Sequence, residues 1–166
     1  MDVPIRNLLS IVNETDLYHT WMPFCKLSNT IHKISRTKQI ILNQFKVPFP
    51  FISTRENLWF GHGINALKTP EKCLMAIGHS VSGEAFKEYP LPPPGKGVVR
   101  PDVNVVMLMV EPLPEGKVRF RVISNFDPKL KAVPYWLLNW FSRKFAKTLF
   151  KRVEKKAKNL IGTIYE

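Results

Sequence analysis

Two cysteines, Cys25 and Cys73, are all that this 166-residue chain contains. They stand in no CxxC or Cys/His spacing, so neither a zinc site nor a disulfide framework is indicated, and reduced thiols in a cytoplasmic protein are the simplest reading. Acidic residues are scarce as well. There are 13 Asp and Glu against 25 Lys and Arg, a formal net charge of +12, which makes an anionic partner surface the first expectation, either nucleic acid or membrane. No stretch approaches the length of a transmembrane span. The opening MDVPIRNLLSIVNETD interrupts its apolar residues with Arg6, Asn7 and Asn13, which argues against a signal-peptide core. The histidines, His19, His32, His62 and His79, are scattered without ligand spacing and read as structural or surface groups. No Ser/His/Asp, Cys/His or paired-carboxylate constellation can be assembled from spacing. No catalytic residue, metal or cofactor is therefore assigned.

What is present is apolar material, 45% hydrophobic and 11% aromatic, enough for one packed core and one domain over residues 1–166. Asp2 can cap a helix with Pro4 in its first turn, and Ile5, Leu8, Leu9 and Val12 recur at helical spacing to about Asn13. Thr15 or Asp16 can cap a second helix that runs to Trp21, with Pro23 discouraging continuation. From Lys38 onward short β-prone runs take over: Gln39 to Val47, Asn57 to Leu67 and Lys72 to Val81. Pro101 to Val110 and Lys117 to Asn125 then flank a connection short enough for an antiparallel hairpin. In its first arm Val103, Val105, Met107 and Met109 fall on one face, and Val106, Leu108 and Val110 on the other. Both faces want cover, as in a sandwich-core strand or in a strand that lines a ligand cavity. Between Gly83 and Arg100 four prolines and three glycines predict a long surface loop, either a spacer or a functional lid.

The clearest physical signal lies from Pro134 to about Leu160. Leu137, Phe141, Phe145, Leu149 and Val153 recur every four residues, with Leu138, Ala146, Phe150, Ala157 and Leu160 broadening the stripe. Between Arg143 and Lys158 there are eight basic residues against the single acid Glu154, a local net of +7 out of the +12. A merely solvated face usually mixes signs, and this one hardly does. A basic amphipathic helix is the expected design for contact with anionic headgroups, and Lys147, Lys151, Lys155 and Lys158 are the expected membrane contacts.

Three passages resemble the START (StAR-related lipid transfer) domain family, closest to its phosphatidylcholine-transferring members. FDPKLKAVPYWLLNW, Phe126 to Trp140, is similar to the family's passage from the last strand into the C-terminal helix. KVPFPFISTREN, Lys46 to Asn57, resembles its Pro-Phe-Pro turn followed by an Arg-Asp pair, here Arg55-Glu56. DLYHTW, Asp16 to Trp21, resembles an acidic residue followed by Trp ahead of the strands. The resemblance implies an α+β helix-grip fold, a curved antiparallel sheet wrapped around a long C-terminal helix, with a lipid or sterol in the cavity between them. The helix and a nearby loop would act as the gate. Only the C-terminal portion of the family domain is covered, since its N-terminal helix and first strands have no counterpart before Met1. A sheet edge left open in this way invites self-association.

The family's choline-caging aromatics fall at Asn43 and Asn57, and its phosphate-binding Arg falls near Tyr18, with Met22 at a nearby Asp. Asparagines present no aromatic face to a quaternary ammonium, so choline specificity is not expected. Arg55 and Glu56 stay the best polar candidates for a lipid hydroxyl or phosphate, with an ordinary strand-end ion pair as the alternative. Trp59, Met75, Met107, Met109, Leu138 and Phe141 are the expected apolar lining. The leading expectation is lipid binding and transfer or sensing by a cytoplasmic protein peripheral at membranes. The alternatives are a helix-grip enzyme of cyclase or hydrolase type and a basic nucleic-acid-binding module. The last lacks a binding motif, and its aromatics are not interleaved with the basic cluster as a stacking platform, so no nucleic acid is expected.

Overall fold

Pro4, extended at φ −60° and ψ 136°, opens helix α1, Ile5–Asn13, so proline geometry rather than an Asp2 cap starts it. The computed structural model describes residues 1–81, 86–130, 133–160 and 162–163. The helix expected from Thr15 to Trp21 is split into a 3₁₀ turn, Thr15–Leu17, and one turn of α-helix, α2, Tyr18–Trp21. Its would-be caps are engaged elsewhere. The Asp16 carboxylate accepts the backbone N–H of Thr30, and the Thr15 and Thr30 hydroxyls lie 2.9 Å apart.

Among the described residues seven strands follow: β1 Cys25–Lys33, β2 Lys38–Phe45, β3 Thr54–Ala66, β4 Cys73–Ser80, β5 Val98–Val99, β6 Asp102–Pro112 and β7 Val118–Asp127. Neighbours run β1-β2-β3-β4-β6-β7, all antiparallel, while the short β5 pairs parallel with Thr54 and Arg55 at the start of β3. β1 was not expected, because its burial does not alternate cleanly and therefore leaves no period-two pattern to read. β5 was not expected either, lying inside the Pro-rich stretch. The β6–β7 hairpin forms as expected, closed by a turn with Glu115 and Gly116 at positive φ.

Register places Ile41, Trp59, Gly61, Gly63, Ala76, Gly78 and Leu108 on one face of the sheet. The Trp59 ring lies 2.5 Å from where a Cβ on Gly78 would sit, so only glycine lets the indole lie flat there. This inner face packs with α1 and α2 in a core that includes Leu8, Ile11, Tyr18, Trp21, Val110 and Val118. On the opposite face Ile40, Leu42 and Leu58 form a second cluster, covered by Phe86, Tyr89 and Leu91. His32 Nε2 lies 2.9 Å from the Pro90 carbonyl and helps hold this cover. The described part of the Pro-rich stretch is thus a strap over the outer face of β2 and β3, not a lid over the inner one; Gly83, Glu84 and Ala85 lie outside the described residues.

Helix α3, Tyr135–Lys158, follows a connection that contains Lys129 at positive φ. The expected stripe faces inward. Val153 and Ala157 are buried in the α1 core, Leu149 packs beside them, and Phe150 meets Phe120 of β7 edge to face at 5.6 Å. The N-terminal half rests on turns instead. Phe141 lies 5.5 Å from Phe24 and 5.6 Å from Phe49, and Phe145 stacks on Phe24.

Candidate functional site

A cavity of about 370 Å³ lies between α1 and the inner face of the sheet. Leu9 and Val12 of α1 form its roof, and Ile41, Trp59, Ala76 and Gly78 with Val106, Leu108 and Val110 of β6 form its floor. The glycines and Ala76 make that floor shallow, which is why space remains between two packed layers. Polar groups gather at one side: Ser10, Asn13, Arg36, Thr37 and Gln39. Gln39 donates through Nε2 to the Asn13 carbonyl at 3.4 Å, linking the β1–β2 turn region to the end of α1. An apolar hollow with a polar rim suits a ligand with an apolar body and a single polar end.

The wall is held by a buried relay. Trp59 Nε1 donates to Asn43 Oδ1 at 2.7 Å, Asn43 Nδ2 donates to Ser28 Oγ, and Ser28 donates to the Thr15 carbonyl. Each such bond contributes about 1 kcal/mol net, and leaving one partner unsatisfied costs more. Tyr18, also in the wall, donates to the Val12 carbonyl at 2.6 Å; burial holds its phenol well above the usual tyrosine range, with Cys25 adding to the shift.

Of the expected lining residues, Trp59 borders this cavity from the inner face, and Met75 borders it as well although register sets it opposite Met109 on the other face. Met107 and Met109 do not. They alternate along β6 with Val106, Leu108 and Val110, and register sets those three opposite Gly78, Ala76 and Leu74. Leu138 and Phe141 do not line it either, because the N-terminal half of α3 is engaged with Phe24 and Phe49. The cavity therefore lies under α1, and no described residue of α3 borders it.

Arg55 and Glu56 do not pair with each other. Successive strand residues point to opposite faces, and each finds its own partners. Arg55, 8% exposed, donates to the carbonyls of Ser53 at 2.6 Å, Pro128 at 2.8 Å and Lys129 at 3.0 Å, clamping the segment between β7 and α3. Burial pushes its guanidinium below the usual arginine value. Glu56, 2% exposed, is met by Arg100 at 2.8 Å and by Gln44 Nε2 at 2.8 Å, and Arg100 in turn donates to the Pro92 carbonyl. Both charges are spent on architecture. Lys147, Lys151, Lys155 and Lys158 are all exposed on α3, with Lys158 2.9 Å from Glu154.

The lining residues that sequence reasoning missed include Tyr18, Ile41, Ala76, Gly78, Val106, Leu108 and Val110. The two-sided apolar pattern of β6 carried a signal for three of them, but no pattern told which side faced the hollow. Among the described residues no group of three or more His, Cys, Asp and Glu could hold a metal ion.

No family model and no curated protein matches the chain. Solved structures do. Human StAR-related lipid transfer protein 5 superposes with a TM-score of 0.80 at 17% identity, over 96% of this chain and 73% of that one. Human STARD10 gives 0.75 at 17%, over 94% of this chain and 59% of that one. A STAR-related lipid transfer protein from Xanthomonas axonopodis gives 0.70 at 17%, over 95% and 81%. This chain thus spans 59% of the STARD10 chain and somewhat more of the other two. With its curved antiparallel sheet and long C-terminal helix, the chain has the helix-grip fold of the START domain structures.

Proposed function

We propose that the chain is a single lipid-binding unit that takes one lipid or sterol into the cavity between α1 and the inner face of the sheet. The observation that carries this reading is the hollow itself: about 370 Å³ between α1 and the sheet, open to the surface on one side, floored by Gly78, Ala76 and Leu108 and edged by Arg36, Thr37 and Asn13. Its chemistry is non-covalent. Burial contributes roughly 0.8 kcal/mol per methylene, so an acyl chain or sterol body supplies affinity without a reacting side chain. Transfer or sensing follows if the loaded protein meets membrane, and the lysines of α3 give it an anionic-lipid-seeking face. No helix among the described residues is long and apolar enough to cross a membrane.

Organic extraction of the purified protein followed by mass spectrometry tests the reading. A lipid recovered at one per chain, and lost in Leu108→Trp with retained secondary structure, supports it; a lipid-free parent that takes up neither fluorescent sterol nor fluorescent acyl probe overturns it. Self-association belongs to the same reading. Among the described residues the far edge of β7 carries no partner strand, and Ile123 and Phe126 on it are exposed, so sedimentation should show a second copy paired there.

A further inference from the structure

The N-terminal half of α3 does not look like a solvated helix face. Tyr135 is 85% exposed, Trp136 70% and Trp140 53%, although aromatic side chains of this size normally find cover. Trp136 and Trp140 stand one turn apart, and the same outward line continues through Lys144, Lys147, Lys151, Lys155 and Lys158 at steps of three and four. A surface groove at this end is lined by Trp136, Asn139, Trp140, Arg143, Lys144 and Lys147, with no acidic residue among them. The Lys144 ammonium sits 4.8 Å from the centroid of the Trp140 ring, so cation and aromatic already share one surface.

A second element brings another aromatic to this end. Phe49 packs on Phe141 of α3, and two residues further along its turn Phe51 is fully exposed, held at φ 63° in a conformation that non-glycine residues rarely adopt. Nothing in the sequence of charges explains these rings, because lysines alone suffice for electrostatic adsorption. Rings with cations behind them match one environment well: the interfacial layer of a bilayer, where indoles lie at headgroup depth and Lys and Arg reach phosphates.

We propose that Trp136 and Trp140, joined by Phe51 from the turn that packs on Phe141, insert into the interfacial layer of an anionic phospholipid bilayer, and that Arg143, Lys144 and Lys147 bind headgroup phosphates around them. α3 then meets the membrane tip first, aromatics embedded and the remaining lysines above. This rests on the reading that α3 is the membrane-facing element, but it assigns depth to its first two turns and adds a salt-resistant component to binding.

Trp136→Ala/Trp140→Ala and Phe51→Ala should retain the parent's helicity, since these side chains are exposed. Binding to vesicles of phosphatidylcholine with a minority of phosphatidylserine should fall about tenfold in the double Trp variant, and the deficit should persist in high salt, as expected for lost apolar insertion rather than lost charge. Parent tryptophan emission should shift to the blue on vesicles and be quenched by lipids brominated in the upper acyl chain; in the double variant, Trp21 and Trp59 should show neither effect. A parallel variant, Lys147, Lys151, Lys155 and Lys158 all to Gln, separates the two readings. If the parent itself ignores vesicles, the membrane reading and this inference both fall. Where the parent binds and the lysine variant does not, but the double Trp variant binds as tightly as the parent and the parent's own indoles go unquenched, only the insertion is refuted. A Trp variant that changes sedimentation but not vesicle binding would assign the rings to a second copy of the chain and overturn the proposal.

Discussion

Removing the Arg55 clamp should loosen the start of α3 while leaving the cavity walls in place. The guanidinium donates to three main-chain carbonyls at 2.6 to 3.0 Å, and two of them, Pro128 and Lys129, lie 73 and 74 residues away in the segment that turns the chain from β7 into α3. Hydrogen bonds that involve a charged group contribute about 1.5–3 kcal/mol each, and a sum at face value would exceed what one residue supplies. Arg55 lies at the end of the sheet, where water can reach the freed carbonyls, so Arg55→Ala should cost about 2–4 kcal/mol. For a chain of this size that corresponds to a Tm lowered by roughly 5–15 °C. Arg55→Lys restores one donor group without the planar fork and should recover less than half of the loss. Urea titration followed by circular dichroism measures the stability, and trypsin cleavage at Lys129 measures the local loosening. Arg55→Ala within about 0.5 kcal/mol of the parent, the level of an ordinary surface change, would mean that the clamp is idle, and a fully rescuing lysine would mean that charge rather than fork geometry matters.

With Lys147, Lys151, Lys155 and Lys158 replaced by Gln, helicity should hold, because the inward stripe is untouched. Affinity for acidic vesicles should drop on the order of a hundredfold or more in low salt and the remaining difference should shrink as salt is added, as vesicle cosedimentation will read. Headgroup-varied transfer assays should show no preference for choline: the amide of Asn43 is committed to Trp59 and Ser28, and a strong phosphatidylcholine preference would contradict that. Burial pushes the Cys25 thiol up to about 11, the hydrogen bond to Leu27 opposing it, so native protein should react slowly with iodoacetamide at neutral pH and rapidly once unfolded. Because that thiol titrates later in the folded state than in the unfolded one, its contribution to stability is complete below the ordinary thiol range. It should be lost as pH rises toward about 11, so Cys25→Ala should flatten the alkaline limb of the stability–pH curve. An unchanged limb would show that the thiol is solvated.

Much of the architecture could be read from local pattern, because the pattern is a direct consequence of periodicity. Leu149 and Val153, at the C-terminal end of the four-residue repeat, turn into the core, while Phe141 and Phe145 are half-buried against Phe24 and Phe49. The β6–β7 hairpin, the helix opened by Pro4 and the concentration of charge on α3 are local in the same sense. The matches at Lys46 to Asn57 and Phe126 to Trp140 pointed to the helix-grip arrangement that the solved structures share. β1 escaped notice because its residues contact the α2 region on one side and β2 on the other without a regular alternation, so its identity as a strand comes from its neighbours.

The candidate site was decided by tertiary structure. Sequence showed that both faces of β6 were apolar; only the pairing of Val106, Leu108 and Val110 with Gly78, Ala76 and Leu74 decided which face looks into the hollow. Arg55 and Glu56 are adjacent in the chain and read as a pair, yet strand geometry sends them to opposite sides, one to distant carbonyls and the other to Arg100. The Pro-rich stretch could have covered either face, and it is the apolar surface of Ile40, Leu42 and Leu58 that draws Phe86 and Leu91 to the outer one. Periodicity specifies which residues share a face. Which face meets which partner depends on contacts between residues far apart in the chain, and those contacts form only when the sheet and its helices pack.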